Sequence, residues 1–520
     1  MPLPRPVFLA LLLLTLLRAV LAGTHELTPA EAHLWLCSER MAPSYVDFGP
    51  LTPLLVKLGV LAGGKTSFAV RWLAPGLALM ASLIIYRLAT SLFDQKTGIW
   101  SVVVVNLTPL FNAAGILILP ATVGFLAWIA ALWAVWRALH RAGAWNRYWP
   151  LAGLCMGVGI LASTANAVQP LCLVLLLAIS RRWRRQLLRP GAGLAIAISA
   201  VMAVPLFWWH AQNDWLVWQY QIHDLTHGAS FGRLMSWLGE VAIGLSPILC
   251  AGMLWALALT VRQLWRARLP HSKWPEPSYE ATLFLLAFSL PMLAVSAWLS
   301  LFAGGALGAS APALFGLELL LVARWLKVDF SPGTVRLAQN ATLCVAAAYS
   351  IVLAQSDLLR HWGFWPYRLD PSTHARGWRT SASAVSEALD ALSKESPEAA
   401  FVIADSAALA ASLNFHWPTS FPKRNTPLSP LVQTVASPIP SSDFAFWPRY
   451  DFLPGAAGPS LSGRSALFVT ADKALPLPPA AVRNSFQHVD RLGAIEVMRG
   501  SHVVRSLALF ACYDYRGPSF

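Results

Sequence analysis

The chain has 520 residues, of which 56% are hydrophobic and only 12% are charged. A soluble domain usually carries about twice that charged fraction, so the composition excludes an ordinary soluble protein and indicates a membrane protein. The net charge of +14 is also found in nucleic-acid-binding proteins, but the cations here are distributed as a membrane orientation signal, and no nucleic-acid partner is predicted.

Apolar segments of roughly 20 residues cross a bilayer as helices, because their backbone polar groups cannot be left unpaired there. The first segment is either a signal peptide cleaved near Ala19 or Ala22, or a retained helix, which the length of its apolar run favours. Very short turns join the pairs that meet near Ile116 and Thr164. The sequence predicts about eleven spans, at residues 5–22, 67–88, 98–115, 118–137, 148–163, 165–180, 190–209, 240–260, 281–302, 304–323 and 337–355.

The cations give an orientation to these spans. With a cytoplasmic N-terminus, five successive inner loops are rich in arginine and lysine, including "RRWRRQLLR" at residues 181–189, whereas the outer loops hold few cations. This asymmetry follows the positive-inside rule. The sequence therefore predicts a multi-pass protein of a bacterial inner membrane, in contact with membrane lipids, with its N-terminus in the cytoplasm.

The same orientation places three polar stretches outside: residues 23–66, residues 210–240 and everything after about residue 356. The last stretch contains a segment with helical periodicity, "SASAVSEALDALSKES", and apolar segments typical of buried strands, "AFVIAD" and "SALFVT". We therefore predict two domains, a helical membrane domain over residues 1–355 and a periplasmic α/β domain over residues 356–520.

Acidic and basic side chains are concentrated near the first outer loop. Chemistry embedded in a membrane usually concerns lipid-linked substrates, and one such reaction is the transfer of a sugar from a lipid phosphate. This transfer requires a carboxylate that takes a proton from the attacking hydroxyl and cations or donors that hold the phosphate. Glu31 and Asp47 are candidate carboxylates and Arg71 is a candidate cation. Each has a structural alternative: Glu31 in a capping box with Thr28, Asp47 in a turn, and Arg71 extending to the interface.

Several motifs occur in an order that resembles a known family. They include "AEAHLW", "SYVDFGPLTPLLVKLG", "FAVRWLAPGLA", "LTPLFNAAGILILPATVG", "GVGILASTANAV" and "WWHAQNDWLVWQYQIH". In this order they resemble the bacterial GT-C glycosyltransferases related to dolichyl-phosphate-mannose protein mannosyltransferases and to the aminoarabinose transferase of lipid A. The resemblance implies a polyprenyl-phosphate-sugar donor, transfer on the periplasmic face, and a lipid, glycan or protein acceptor.

The chain departs from this family at several positions that are usually polar. Ala30 stands where relatives usually have the aspartate presumed to be the base, Ala121 replaces a second aspartate, and Ser163 replaces a lysine. If transfer occurs, the resemblance leaves Glu31 or Asp47 as the base. It also implies substrate-binding roles for Arg71 and for three residues of the next large outer loop, which are Asn213, Asp214 and His223; Asn213 and Asp214 are alternatively caps of a helix starting at Trp215.

Three functions fit these observations. The first is a membrane glycosyltransferase with a lipid-linked sugar donor, and the second is a catalytically degenerate homologue that binds lipid-linked glycans or acts as a scaffold. A transporter is a weaker alternative, because the spans show no clear inverted repeat. The scattered cysteines and histidines predict no metal site and no cofactor, although the sequence leaves a divalent metal open.

Overall fold

A computed structural model describes most of the membrane domain and the core of the C-terminal domain. The described residues are 3–141, 143, 146–226, 228–266, 279–302, 307–327, 340–341, 344–345, 347–349, 375–395, 400–418, 431–435, 442–450, 461–499 and 502–517. The predicted domain boundary at residues 355 and 356 lies outside them.

The N-terminal region is a bundle of apolar helices. Its described helices are α1 (Arg5–Thr24), α2 (Pro29–Glu39), α3 (Leu51–Gly63), α4 (Ser67–Arg71), α5 (Ala74–Leu92), α6 (Gln95–Leu107), α7 (Pro109–Ala114), α8 (Pro120–Leu139), α9 (Tyr148–Ala162), α10 (Val168–Ile179), α11 (Pro190–Gln212), α12 (Leu216–Thr226), α13 (Phe231–Leu245), α14 (Pro247–Arg266), α15 (Tyr279–Phe302) and α16 (Leu307–Trp325).

The predicted polytopic helical membrane protein is confirmed, whereas the count of eleven spans is not. Among the described residues, which leave out most of the predicted span at 337–355, six helical segments are long and apolar enough to cross a membrane. The bent pair α13 and α14 makes a seventh if it forms one span. At about 1.5 Å per residue, α9 with 15 residues and α10 with 12 are shorter than a hydrocarbon core of about 30 Å. The predicted span at 98–115 is divided into α6 and α7, because Pro109 cannot continue a helical hydrogen-bond ladder.

The C-terminal domain is built around a mixed five-stranded sheet, which confirms the predicted α/β class. Its described elements are α17 (Trp378–Glu395), β1 (Phe401–Ala404), α18 (Ala407–His416), β2 (Val432–Thr434), β3 (Ala466–Thr470), α19 (Ala480–Arg483), β4 (Phe486–Arg499) and β5 (His502–Tyr515). The strand order is β2-β1-β3-β5-β4, with β1 parallel to both of its neighbours and β5 antiparallel to both of its own. Strands β1 and β3 are buried at every position, and all their residues except Thr470 are apolar, as expected for central strands.

Helix α2 connects the two regions. Its apolar residues Leu34 and Leu36 belong to the same buried cluster as Trp378 of α17 and Leu409 of α18. The Nζ atom of Lys65 lies 4.7 Å from the ring centroid of Trp35 in α2, which is a cation–π contact. The segment that follows α1 is therefore held between the helical bundle and the C-terminal sheet domain.

Candidate functional site

Glu31 lies at the start of α2, where it completes a capping box. The Thr28 hydroxyl accepts from the Glu31 backbone N–H at 3.4 Å, and Glu31 Oε2 accepts from the Thr28 N–H at 3.0 Å. This reciprocal arrangement satisfies two free donors of the first turn and fixes where the helix begins. The carboxylate itself is fully buried.

The Glu31 carboxylate is also the partner of Arg71. Arg71 Nε donates to Glu31 Oε1 at 2.7 Å and Nη2 donates to Oε2 at 2.6 Å, a bidentate pair in which both side chains are fully buried. The backbone N–H of Ile118 donates to Oε1 at 3.2 Å. Glu31 thereby joins α2, α4 and the segment between α7 and α8.

Every N–H group of the Arg71 guanidinium has a partner in the protein. Beyond the two bonds to Glu31, Nη1 donates to the carbonyls of Ala22 and His25, and Nη2 donates to the carbonyl of Glu26. A guanidinium has five N–H donors, and these five contacts use them all. Arg71 therefore fixes the end of α1 and the chain that follows it, with no donor left for a ligand.

Asp47 occupies a loop that three contacts hold in place. Its carbonyl accepts from the Thr164 hydroxyl at 2.9 Å, and the neighbouring Val46 N–H donates to Asp443 Oδ1 at 2.9 Å. A Cβ at Gly49 would approach the carbonyl oxygen of Leu161 to 2.3 Å, so only glycine permits this close approach to α9.

Within the described residues, no hydrogen bond or ion pair of the Asp47 side chain holds the loop. Part of the Asp47 surface is exposed to solvent, but the surrounding protein partly desolvates its carboxyl group. This desolvation raises the pKa of Asp47, the negative charge of Asp443 raises it further, and His33 opposes the change. Asp47 is therefore a reachable carboxylate with a higher affinity for a proton than a fully solvated aspartate.

His33, Cys37 and Asp443 form a compact group beside this loop. His33 Nε2 lies 2.8 Å from Asp443 Oδ2, and Cys37 Sγ lies 3.7 Å from His33 Nε2 and 3.8 Å from Asp443 Oδ2. His33 and Cys37 lie one turn apart on α2 and so share a face. Burial, and then the charge of Asp443, raises the pKa of the Cys37 thiol well above its usual range.

Arg18 is a buried cation of α1 whose described partners are all neutral. Its Nε and Nη2 donate to Asn112 Oδ1 at 3.2 and 2.9 Å, and Nη1 donates to Asn106 Oδ1 at 3.0 Å. Within the described part of the chain, no carboxylate lies at ion-pair distance from it. Its partner Asn106 also lines a small, partly polar cavity together with Ser82 and Thr122.

The three candidate residues of the second outer loop lie at and beyond the end of α11. Asn213 is the C-terminal cap of α11, and its side-chain amide donates to the Trp209 carbonyl at 2.8 Å. Asp214 has a positive φ of 53° and belongs to the turn before α12. His223 is a residue of α12, and its side chain lies outside the described part of the structure.

The end of α11 approaches the Asp47 loop through aromatic packing. The ring of Trp209 lies 5.0 Å from that of Phe446, and Trp209, Val46 and Val217 form one buried cluster. Since Val46 precedes Asp47 directly, the second outer loop starts beside the carboxylate. The structure thus brings the Asp47 loop, the turn after α11 and the 3₁₀ turn Asp443–Phe446 close together.

Comparison with known proteins agrees with this architecture. Residues 47–209 match the family model described as dolichyl-phosphate-mannose-protein mannosyltransferase. The structure is similar to the crystal structure of ArnT from Cupriavidus metallidurans in the apo state, with 15% sequence identity, a TM-score of 0.59 and 97% of each chain covered. The chain has the GT-C fold. The structure of the same ArnT bound to undecaprenyl phosphate matches with 15% identity, a TM-score of 0.60 and the same coverage.

The GT-C fold confirms the resemblance seen in the motifs. The matching family model is described as a mannosyltransferase, and undecaprenyl phosphate is a ligand of that ArnT. No curated protein matches this chain in sequence.

Four residues of this region are not predicted as site residues from the sequence: Arg18, His33, Cys37 and Asp443. Arg18 carries a visible signal, since an ionisable residue inside an apolar span is a functional candidate by default. The spacing of His33 and Cys37 predicts a shared helix face but no partner. Asp443 lies 410 positions after His33 in a segment without a motif, so no sequence pattern indicates that they meet.

We predict that the Glu31–Arg71 pair is essential to the stability of this GT-C domain. Glu31→Gln removes the negative charge and leaves Arg71 as a buried cation without a counter-ion, and breaking a buried pair in this way costs about 3–5 kcal/mol. The melting temperature of the full-length protein in detergent should fall clearly. Asp47→Asn, an acid-to-amide change on the same loop, should leave it nearly unchanged.

A double variant separates the pair from the two residues taken singly. Glu31→Gln combined with Arg71→Met removes both charges, so it should lower the melting temperature by less than the sum of the two single changes. Additive losses, or a Glu31→Gln protein as stable as the wild type, would show that the pair does not hold the loop.

Proposed function

We propose that the chain is a membrane glycosyltransferase that moves a sugar from a polyprenyl-phosphate donor to an acceptor, with Asp47 as the general base. The observation that carries the proposal is the contrast between the two loop carboxylates. Asp47 is exposed on a rigidly held loop, inside the region matched by the mannosyltransferase family model. A general base has to be reachable by the hydroxyl that it deprotonates.

Glu31 is the less suitable base. Its two oxygens accept hydrogen bonds from Arg71, Thr28 and Ile118, and the side chain has no exposed surface. Protonation would remove the charge that balances the buried guanidinium. We therefore assign Glu31 to positioning the loop, and the proton transfer to Asp47, whose raised pKa strengthens it as a proton acceptor.

The donor phosphate requires a cation, and Arg18 meets this requirement better than Arg71. All five donors of Arg71 are used within the protein, whereas the charge of Arg18 is held only by amide oxygens among the described residues. An uncompensated cation is costly to bury, and a phosphate would supply the missing charge. Arg71 then acts on the donor only through the loop that it fixes.

The proposed substrate-binding site includes a second surface, which faces the first loop and is formed by Asn213, Asp214 and His223. The support is the packing of Trp209 against Val46, which brings the start of this segment to the Asp47 loop. The acceptor is a lipid, a glycan or a protein.

The enzyme is proposed to lie in the inner membrane of a bacterium, with its N-terminus in the cytoplasm and its site and C-terminal domain in the periplasm. The support is the distribution of arginine and lysine among the loops between the helices.

The transfer reaction tests the assignment of the base. Asp47→Asn should reduce turnover about 10²- to 10⁴-fold and retain binding of the polyprenyl-phosphate donor, because the loop contacts of residue 47 come from its backbone. Turnover is measured with purified protein in detergent and a set of labelled polyprenyl-phosphate sugars. Glu39→Gln, which neutralises an exposed carboxylate on the same loop, is the matched control.

Two outcomes would contradict this assignment. Full activity of Asp47→Asn would exclude Asp47 as the base. A wild-type protein that binds donors without any transfer or hydrolysis would instead support a lipid-glycan binding or scaffold function, the alternative favoured by Ala30, Ala121 and Ser163.

Donor binding tests the role of Arg18. Arg18→Gln should weaken binding of polyprenyl phosphate about 10- to 100-fold, the equivalent of one charge-assisted contact, while the protein remains folded. Arg233→Gln, the same change at an exposed arginine, should bind as the wild type does. Equal affinities of the wild type and Arg18→Gln would remove Arg18 from the proposed site.

Reporter fusions test the orientation. Alkaline phosphatase fused after Phe520 should be active and a fusion of green fluorescent protein at the same position should be dark, since the first folds in the periplasm and the second in the cytoplasm. The reverse result would place the C-terminal domain, and with it the site, on the cytoplasmic side.

A further inference from the structure

The group formed by His33, Cys37 and Asp443 brings together three kinds of metal ligand. The imidazole nitrogen, the thiol sulfur and a carboxylate oxygen all lie within 4.8 Å of one another. Two of these residues come from α2 and the third from the C-terminal domain. Nitrogen, sulfur and oxygen donors of these types are the usual ligands of zinc in proteins.

The surrounding structure holds the three side chains in place. The rigid turn of α2 sets the separation of His33 and Cys37. Asp443 is fixed because its Oδ1 accepts a hydrogen bond from the Val46 N–H at 2.9 Å, and its Oδ2 lies next to the other two side chains. The ring of His33 lies 6.1 Å from that of Phe444, with nearly parallel planes.

Two of the three distances within the group fit tetrahedral coordination. Zinc–ligand bonds are about 2.3 Å long to sulfur and about 2.0–2.2 Å long to nitrogen and oxygen. In a tetrahedron these lengths place the sulfur about 3.6 Å from the nitrogen and from the oxygen, and the nitrogen about 3.4 Å from the oxygen. The observed sulfur separations are 3.7 and 3.8 Å. Only His33 Nε2 and Asp443 Oδ2, at 2.8 Å, have to separate, and a metal ion would replace their hydrogen bond.

We propose that His33, Cys37 and Asp443 form a binding site for a divalent transition metal, of which zinc is the best fit. The thiolate of Cys37 and the carboxylate of Asp443 balance the two charges of the ion, so the occupied site is neutral. On binding, the Cys37 proton is released to solvent and the imidazole proton moves from Nε2 to Nδ1. The sulfur ligand favours zinc over magnesium or calcium, which select oxygen donors.

The site would link the first outer loop to the C-terminal domain. Asp443 already bonds the Val46 backbone, so an ion held by Asp443, His33 and Cys37 would fix this loop more firmly against the domain. With three protein ligands, one tetrahedral position stays open for water or another group. The proposed metal site is independent of the proposed transfer reaction, and its test measures metal binding and not activity.

Cobalt(II) is a suitable probe because it occupies zinc sites and absorbs light. The full-length protein in detergent is treated with a chelator, dialysed and titrated with Co²⁺ alone. We expect one ion per chain, intense visible bands of tetrahedral cobalt and a near-ultraviolet thiolate charge-transfer band, all lost on addition of Zn²⁺. Cys37→Ser should lack the charge-transfer band, and Asp443→Asn should bind more weakly.

The control is Cys250→Ser, the same change at a half-buried cysteine of α14, which should keep the full cobalt spectrum. A second measurement needs no variant: X-ray absorption of the wild-type zinc form should show one sulfur ligand at about 2.3 Å beside nitrogen and oxygen ligands. A folded wild type without cobalt bands, a charge-transfer band that persists in Cys37→Ser, or a zinc form without a sulfur ligand would each overturn the proposal.

Discussion

The buried pair of Glu31 and Arg71 is the interaction on which the first outer loop depends. It joins the end of α1, the start of α2, the short helix α4 and the segment before α8 through hydrogen bonds that occupy all five guanidinium donors. A buried charge pair of this kind is stable only when all its remaining donors and acceptors are satisfied, as they are here. The pair therefore acts as a fixed point from which α2 extends toward the C-terminal domain.

This fixed point separates the structural role of Glu31 from the proton-transfer role proposed for Asp47. Glu31 is paired with Arg71, whereas the side chain of Asp47 is exposed. The backbone of the Asp47 loop is fixed by Thr164 and by the close approach of Gly49 to α9. Catalytic groups need positions held to within fractions of an ångström, and a loop held through its backbone leaves the side chain available. The position of Asp443 extends this arrangement, because its two carboxylate oxygens contact different parts of the loop region.

The sequence predicts those features that depend on local patterns. The strands at Phe401–Ala404 and Ala466–Thr470 and the helix at Trp378–Glu395 match their periodicity, and the Thr28 capping box follows from spacing alone. Hydropathy alone does not settle the number of spans, because it cannot distinguish a crossing helix from a shorter apolar one such as α9 or α10. The meeting of α2 with Asp443 is a long-range contact made by tertiary packing, which no local pattern encodes.

The position of Ala30 explains why Glu31 is a poor substitute for the aspartate that the family resemblance implies at residue 30. Ala30 is exposed in the first turn of α2, whereas Glu31 is fully buried, as expected for adjacent residues whose side chains point about 100° apart on a helix. The longer side chain of Glu31 cannot reach the exposed face without leaving Arg71. A carboxylate at residue 30 would therefore face outward and one at residue 31 inward, which is why the proposed function assigns proton transfer to Asp47 and not to Glu31.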